Sequence, residues 1–321
     1  MTCHNCKSEA KRFGFFKSHG VKIQRYRCKQ CGKSFGDIPA RPLDDLRIPE
    51  DKAFLVLKAL TEGVGIRACS RLFGLHRDSV LRILETAGAK CANFLDKRLR
   101  SVTVEEIQFD EIWSYVFTKE RFNINKNPLI GDQYTYFGLC RKTKLVVCSL
   151  TGKRNQATTD AFVASVAERL NGHTSISTDA YAHYPFAIQD SFRNRADHAA
   201  ILKCYGTVLE NPNSTAHRYS PMQVTRIIVT PKMGNPDTER ACTSHIERCN
   251  LNLRHFNRRH TRLSIGYSKK LENLKHSIAL FFAVHNFCRV HHTLKTTPAV
   301  AAGLAERPWT LKELLKAATE C

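Results

Sequence analysis

Four cysteines near the start of the chain have the spacing of a metal site. Cys3 and Cys6 form one C-x-x-C pair, and Cys28 and Cys31 form another. Zinc takes four tetrahedral ligands, and thiolates bind it well. A C-x-x-C turn brings two sulfurs to one ion. Between the pairs lie two short stretches, Lys11 to Phe16 and Lys22 to Arg27, joined at Ser18-His19-Gly20. Strand, turn, strand with paired cysteines at the base reads as a zinc ribbon with structural Zn²⁺. The competing use of such pairs is a redox dithiol, but no βαβ pattern surrounds them. His4 lies inside the first knuckle and is not expected to be a ligand. A ribbon this small folds largely on its metal.

The second group is acidic. Asp110, Asp179 and Glu247 are far apart in sequence but fall in segments that a sheet could bring together. Hard Mg²⁺ or Mn²⁺ prefers oxygen ligands, and two such ions can clamp the attacking and leaving oxygens of a phosphodiester. Each acid also has an ordinary use. Asp110 and Glu111 read alone are an exposed pair, Asp179 a helix cap, and Glu247, three residues after Ser244, one half of a capping box. Strand alternation places Asp110 with Gln108 and Ile112, and Glu111 with Phe109 and Trp113. Only one of the two adjacent acids is therefore expected at a common site.

The elements needed to position these acids are legible. Val102–Phe117, Tyr134–Cys140 and Lys144–Leu150 read as an antiparallel meander. Gln156–Leu170 is an amphipathic helix, and Thr174–Thr178 a fourth strand ending at Asp179. A helix near Tyr181–Ile188, a fifth strand over Thr225–Thr230 and a long helix from about Ser244 follow. This βββαβαβα order is that of an α/β, ribonuclease-H-like core with a mixed five-stranded sheet. In such sheets, sites lie at strand ends.

Upstream, Asp51–Thr61, Ile66–Phe73 and Arg77–Ala87 alternate with short glycine turns, the pattern of an all-helical helix-turn-helix module. Its last helix would enter a major groove with Arg77, Ser79 and Arg82. A plain three-helix packing module has the same pattern. Gly36, Pro39, Pro42 and Pro49 mark the linker before it.

The charge agrees with a polyanion partner. The 321 residues hold 50 Lys and Arg against 29 Asp and Glu, a net charge of +21. Residues 1–100 are net +11, residues 101–200 neutral and residues 201–321 net +10. Two basic flanks enclose a middle that keeps its carboxylates. With thirteen cysteines in a chain of this length and no signal pattern at the N-terminus, a reducing compartment is expected. There is no apolar run of 18 residues, so no membrane span is expected. Leu271, Leu274, Ile278, Phe281 and Phe282 form an apolar stripe suited to packing on the sheet. His291 and His292 have no neighbours at ligand spacing.

Three strings carry a resemblance: Asp-Glu-Ile-Trp-Ser-Tyr-Val (110–116), Thr-Asp-Ala-Tyr-Ala-His-Tyr (178–184) and Ile-Glu-Arg-Cys-Asn-Leu-Asn-Leu-Arg (246–254). They are similar to the acid motifs of insertion-sequence-one family transposases. The paired cysteines, the helix-turn-helix and the stretch from Tyr267 to Ala299 resemble that family too. The resemblance implies a DDE triad of Asp110, Asp179 and Glu247 holding Mg²⁺. It places Arg248, Asn250 and Arg254 toward DNA, and the basic strip continues through Arg258, Arg259, Arg262, Lys269, Lys270 and Lys275. It implies that water cleaves a phosphodiester at an element end and that the freed 3′-OH attacks target DNA. Double-stranded DNA is the expected partner, no membrane is involved, and a homodimer or larger assembly holds two ends. A prokaryotic, cytoplasmic, nucleoid-associated setting follows. The expected organisation is a zinc ribbon over 1–38, the helix-turn-helix module over 39–100, the catalytic domain over 101–290 with an insertion near 197–237, and a tail over 291–321. The other readings are a catalytically silent DNA-binding protein and a structure-selective nuclease of the same fold.

Overall fold

In a computed structural model, the structure describes residues 1–3, 5–18, 21–37, 42–43, 46–206 and 223–321. His4, the turn at His19-Gly20, Pro39 and the Asn211-Pro212-Asn213 stretch lie outside the described residues.

The N-terminal unit is a three-stranded antiparallel sheet of β1 (Ala10–Ser18), β2 (Val21–Cys28) and β3 (Ser34–Gly36). Its apolar support is thin. Ala10 and Ile23 are buried, but Phe13 and Phe15 are exposed. So little apolar burial cannot offset the entropy of ordering the chain.

Three helices follow: α1 (Glu50–Thr61), α2 (Ile66–Phe73) and α3 (Arg77–Arg98). Gly74 ends α2 in the left-handed region (φ 57°), where a side chain would be strained. The imidazole of His76 accepts the Asp78 amide and caps α3. Beyond the expected Ala87, α3 continues to Arg98. Gly88 allows its close approach to a later helix, because a Cβ there would lie 2.4 Å from the His276 carbonyl oxygen.

The central sheet has six strands. Val102–Thr103 forms a separate short strand, β4, which pairs in parallel with β8 (Leu170–Asn171). The sheet proper comprises β5 (Glu106–Val116), β6 (Gly131–Cys140), β7 (Val146–Gly152), β9 (Thr174–Asp179), β10 (Ala196–Gly206) and β11 (Gln223–Met233). Its order is β11-β10-β9-β5-β6-β7. The meander β5-β6-β7 is antiparallel, β9 lies parallel to both β5 and β10, and β11 returns antiparallel to β10.

This corrects the expected count of five strands. Thr225–Thr230 belongs to an outer sixth strand. The strand beside β9 is Ala196–Gly206, at the start of the segment read as an insertion. Its alanines have low strand propensity, but Ala196, His198, Ala199, Ala200 and Ile201 are all buried between neighbours. The described part of 197–237 is thus mainly a strand pair.

Helices cover both faces. On one face, α4 (Gln156–Ala167) and α5 (Tyr184–Phe192) pack Phe162, Tyr184 and Ile188 against Ile107, Phe109 and Tyr136. On the other, α6 (Ser244–Phe256) and α7 (Leu271–Phe287) pack Ile246, Leu253, Leu274 and Phe282 against Ile112, Phe137 and Val146. The stripe expected on 271–282 therefore does meet the sheet. Residues 291–321 fold as α8 (Pro298–Ala301) and α9 (Leu311–Glu320). Leu311, Leu314 and Leu315 share one core with Phe54, Leu57 and Ile83 of the N-terminal helices and with Ala283 and Phe287 of α7. No helix among the described residues is long and apolar enough to cross a membrane.

Candidate active site and cysteine centre

β5 and β9 pair only from Glu106↔Ser175 to Gln108↔Ser177. Beyond that point the parallel pairing stops, two residues short of the end of β9 and early in β5. Open α/β sheets place ligands at strand ends. Asp110 and Glu111 lie just past that point on β5, and Asp179 ends β9. One carboxylate oxygen from each lies within 4.8 Å of the others.

The side chains of Asp110 and Glu111 leave opposite faces of the strand, as alternation requires. Asp110 accepts a hydrogen bond from Asn250 Nδ2 on α6 (2.7 Å) and from the Glu111 amide (2.8 Å). Glu111 turns toward α4 and α5, where it accepts from Tyr184 Oη (2.9 Å) and pairs with Arg154 (Nη2 at 2.6 Å). The two carboxylates nevertheless meet, because the β5 edge has no strand beside it there. The expectation that only one would reach the site is corrected. Alternation fixes which face a Cβ leaves, not where a carboxylate ends at an unpaired edge.

The electrostatics follow from crowding. Burial, then the charges of Glu111 and Asp179, push Asp110 up to about 7. Burial raises Glu111 as well, against the pull of Arg154. Burial raises Asp179, although the Tyr181 amide donates to its Oδ1 (3.0 Å). Three carboxylates in one half-buried cluster are a poor arrangement without a cation. Asn250 is 5% exposed, and its Oδ1 has no hydrogen-bond partner among the described residues. An all-oxygen cluster with an orphaned amide oxygen beside it fits a hard divalent cation.

Glu247 sits in the first turn of α6 but outside that cluster. Lys203 of β10 forms an ion pair with it, and Thr243 Oγ1 donates to it at 2.7 Å. Its negative charge still helps raise Asp110 and Asp179. The capping box read at Ser244 does not form. The N-cap is Thr243, and its hydroxyl bonds the Glu247 carboxylate rather than the backbone.

The four cysteine sulfurs also lie within 4.8 Å of one another. Cys3 Sγ is 3.7 Å from Cys31 Sγ, and Cys6 Sγ is 3.4 Å from Cys28 Sγ. Tetrahedral zinc with Zn–S of about 2.3 Å separates its sulfurs by about 3.8 Å, so the set fits that ion. The Ser8 amide leads the contacts that lower the Cys6 thiol, while Cys31, although the Lys33 amide lowers it, is raised on balance by burial and the neighbouring thiols, as expected of four thiols sharing one site.

The expected DNA-facing residues divide. Arg77 and Arg82 are exposed and Ser79 is half-buried on the first turns of α3, whose other face buries Val80, Ile83 and Leu84. Arg248, Arg258, Arg262, Lys269 and Lys270 are exposed. Arg254 is half-buried, and burial lowers its pKa. Arg259 turns inward, donates to Ser268 Oγ at 2.6 Å and is lowered to about 10 by burial. Asn250, expected toward DNA, is buried and holds Asp110. Glu111, excluded by alternation, joins the candidate site, as do Arg154, Tyr184 and Lys203, which sequence reading did not single out. Tyr184 closes the 178–184 string, whereas Arg154 and Lys203 carry no local signal.

No protein-family model matches the chain, and no curated protein matches it. Among solved structures it is similar in outline to piggyBac transposase, seen by cryo-EM in a synaptic complex with hairpin DNA. The TM-score is 0.40 and the identity 8%, over 84% of this chain and 70% of that one.

Proposed function

We propose that this chain is a DDE-type DNA transposase of an insertion sequence, with a ribonuclease-H-like core. The observation that carries the reading is the meeting of Asp110, Glu111 and Asp179 where β5 and β9 stop pairing, with Glu247 beside them on α6. Phosphodiester chemistry needs concentrated carboxylates, and a net charge of +21 elsewhere suits a polyanionic substrate.

In this reading Asp110, Asp179 and Glu247 would hold Mg²⁺ or Mn²⁺, with Lys203 paired to Glu247 in this structure. The bound ion supplies Lewis-acid polarisation and charge neutralisation at the scissile phosphate. The protein does the rest. Asn250 orients Asp110, and Arg154 with Tyr184 holds the Glu111 carboxylate in place. The exposed cations of 248–270 bind the DNA backbone. Arg77, Ser79 and Arg82 read bases from α3, and Zn²⁺ on Cys3, Cys6, Cys28 and Cys31 folds the N-terminal ribbon. Two copies or more hold two element ends. The boundaries proposed are 1–38, 39–100, 101–290 and 291–321, with the last range packed into the helical core.

The test is incubation with Mg²⁺ and DNA carrying the element's own flanking ends, beside Asp179→Asn. Nicking and strand joining lost in the variant is the expected result. Equal cleavage by the variant would remove the acids from the mechanism. One observation favours a second reading, a catalytically silent DNA-binding protein: Lys203 keeps Glu247 off the cluster. End-specific binding with no cleavage in Mg²⁺ or Mn²⁺ would select it.

A further inference from the structure

Beyond Glu111, the same face of β5 carries aromatic rings instead of charges. Trp113 is two residues on, about 6.6 Å along the strand, and is 41% exposed. Its ring lies 5.6 Å from that of Tyr115, which stacks on Tyr267 at 4.7 Å with 28° between the planes. The far end of this row is pinned. The Phe117 amide donates to the Ser268 carbonyl at 2.8 Å, which fixes Tyr267 against the strand.

Trp113 is the exposed ring of the three; Tyr115 and Tyr267 are half-buried and back it from one side, so a flat ligand would meet the indole first. The surroundings identify that ligand. Arg154 lies beside Tyr134, the cross-strand neighbour of Trp113, with its guanidinium 5.7 Å from that ring. Lys269 and Lys270 follow Ser268 and are exposed. From Phe109 to Tyr115 this edge of β5 has no strand partner among the described residues, and the Glu111 amide there donates to Asp110 Oδ1. Rings, flanking cations and the nearby carboxylates together suit a nucleotide with an unpaired base. Within a duplex, the faces of the bases are covered by their neighbours. A base out of the stack offers its face to an aromatic side chain.

We propose that Trp113, Tyr115 and Tyr267 form a stacking shelf for an unpaired nucleobase of the DNA strand whose phosphate lies at the Asp110–Glu111–Asp179 cluster. The inference rests on the proposed function and adds a substrate feature to it: the strand is locally unpaired where it is cut or joined. The phosphate sits at the carboxylates, and the adjoining base lies on Trp113.

The test uses the two tryptophans of the chain, Trp113 and Trp309. Trp309 packs against Phe287 and Phe94 in the helical core. In the full chain carrying Trp309→Phe, Trp113 is the sole indole emitter. Its fluorescence is followed during titration with a short oligothymidine and with the corresponding blunt duplex. The single strand should quench Trp113, and the duplex should quench it far less. In the otherwise unchanged chain, Trp113→Ala should weaken single-strand binding about 5- to 150-fold, the span of base-on-aromatic stacking. Trp113→Phe should recover most of that loss, and duplex binding should stay the same in both variants. Thermal melting of each variant separates lost stacking from lost fold. Unchanged single-strand affinity in a folded Trp113→Ala variant, or equal quenching by both DNAs, overturns the shelf. Duplex end cleavage, measured separately, decides the transposase reading whichever way the shelf falls.

Discussion

The cysteine sheet and the acid cluster both gather residues that could hold a cation, but they stand on different foundations. The three-stranded sheet buries little besides Ala10, Ile23 and two of its own cysteines. The acid cluster lies in a six-stranded sheet with a packed core on each face. In the first region there is little besides the cysteines to hold the described strands together. In the second the fold exists without the ligands and forces them together against their mutual repulsion. Under the proposed reading, a cation at the cysteines is structural and one at the acids relieves electrostatic strain and does chemistry.

The comparison is broken most sharply by removing ligands on each side. Cys28→Ser, or a strong chelator, should unfold residues 1–37, because zinc binding to such units is worth on the order of 10 kcal/mol. The helices and six-stranded sheet should keep their circular dichroism and melting transition. Loss of the whole fold would show that the two regions are not independent.

On the acid side, Asp179→Asn should lower DNA cleavage by about a thousandfold or more while leaving duplex affinity within about twofold. Gel-shift and cleavage assays on the same preparation check both halves.

Arg154→Ala should destabilise the chain by about 2–4 kcal/mol, since it leaves Glu111, whose side chain is only 2% exposed, buried and unpaired. Adding Glu111→Gln should recover part of that loss. Denaturant melts of the two variants measure it, and no recovery would place the cost in packing rather than charge.

Asp110 gives a pH signature of opposite sign to an ordinary ion-paired carboxylate. Its folded pKa is raised to about 7 from a usual value of 3.8. Its contribution is therefore fully present below about pH 4 and is lost as pH rises through 7. Without divalent cation, Asp110→Asn should raise stability at pH 8 by about 1–3 kcal/mol and change little at pH 4. Melts at the two pH values test the sign.

The smallest effect lies away from both centres. Arg77→Ala or Arg82→Ala should each weaken end binding about tenfold and lower the salt slope by about 1, with no change in melting temperature.

The helices were legible because caps and glycines mark them. Gly74 ends α2 where a left-handed residue is needed, and the apolar spacing of Val80, Leu81 and Leu84 marked α3, although Ile83 rather than the half-buried Leu81 completes its buried face. The meander was legible from its long β-branched and aromatic runs. Strand Ala196–Gly206 was not, since burial between two strands lets alanine stand where propensity argues against it. The strand end at Asp179 could be placed, and Asp110 was read within the first strand; the fold brings both into one acidic cluster with Glu111. Glu111 was excluded by an alternation rule that holds for Cβ directions but not for a carboxylate at an open edge. Arg154 and Lys203 reach the acids from distant elements, and no local pattern encodes that.

The central claim is that the acid cluster on β5 and β9 binds a divalent cation through its carboxylates. Anomalous diffraction from crystals soaked in Mn²⁺ tests it directly. The account predicts Mn²⁺ between Asp110 and Asp179, with Glu247 released from Lys203 toward it, and no Mn²⁺ there in Asp179→Asn crystals. Clear density for the carboxylates with no manganese at that point, or manganese retained by the variant, would contradict it.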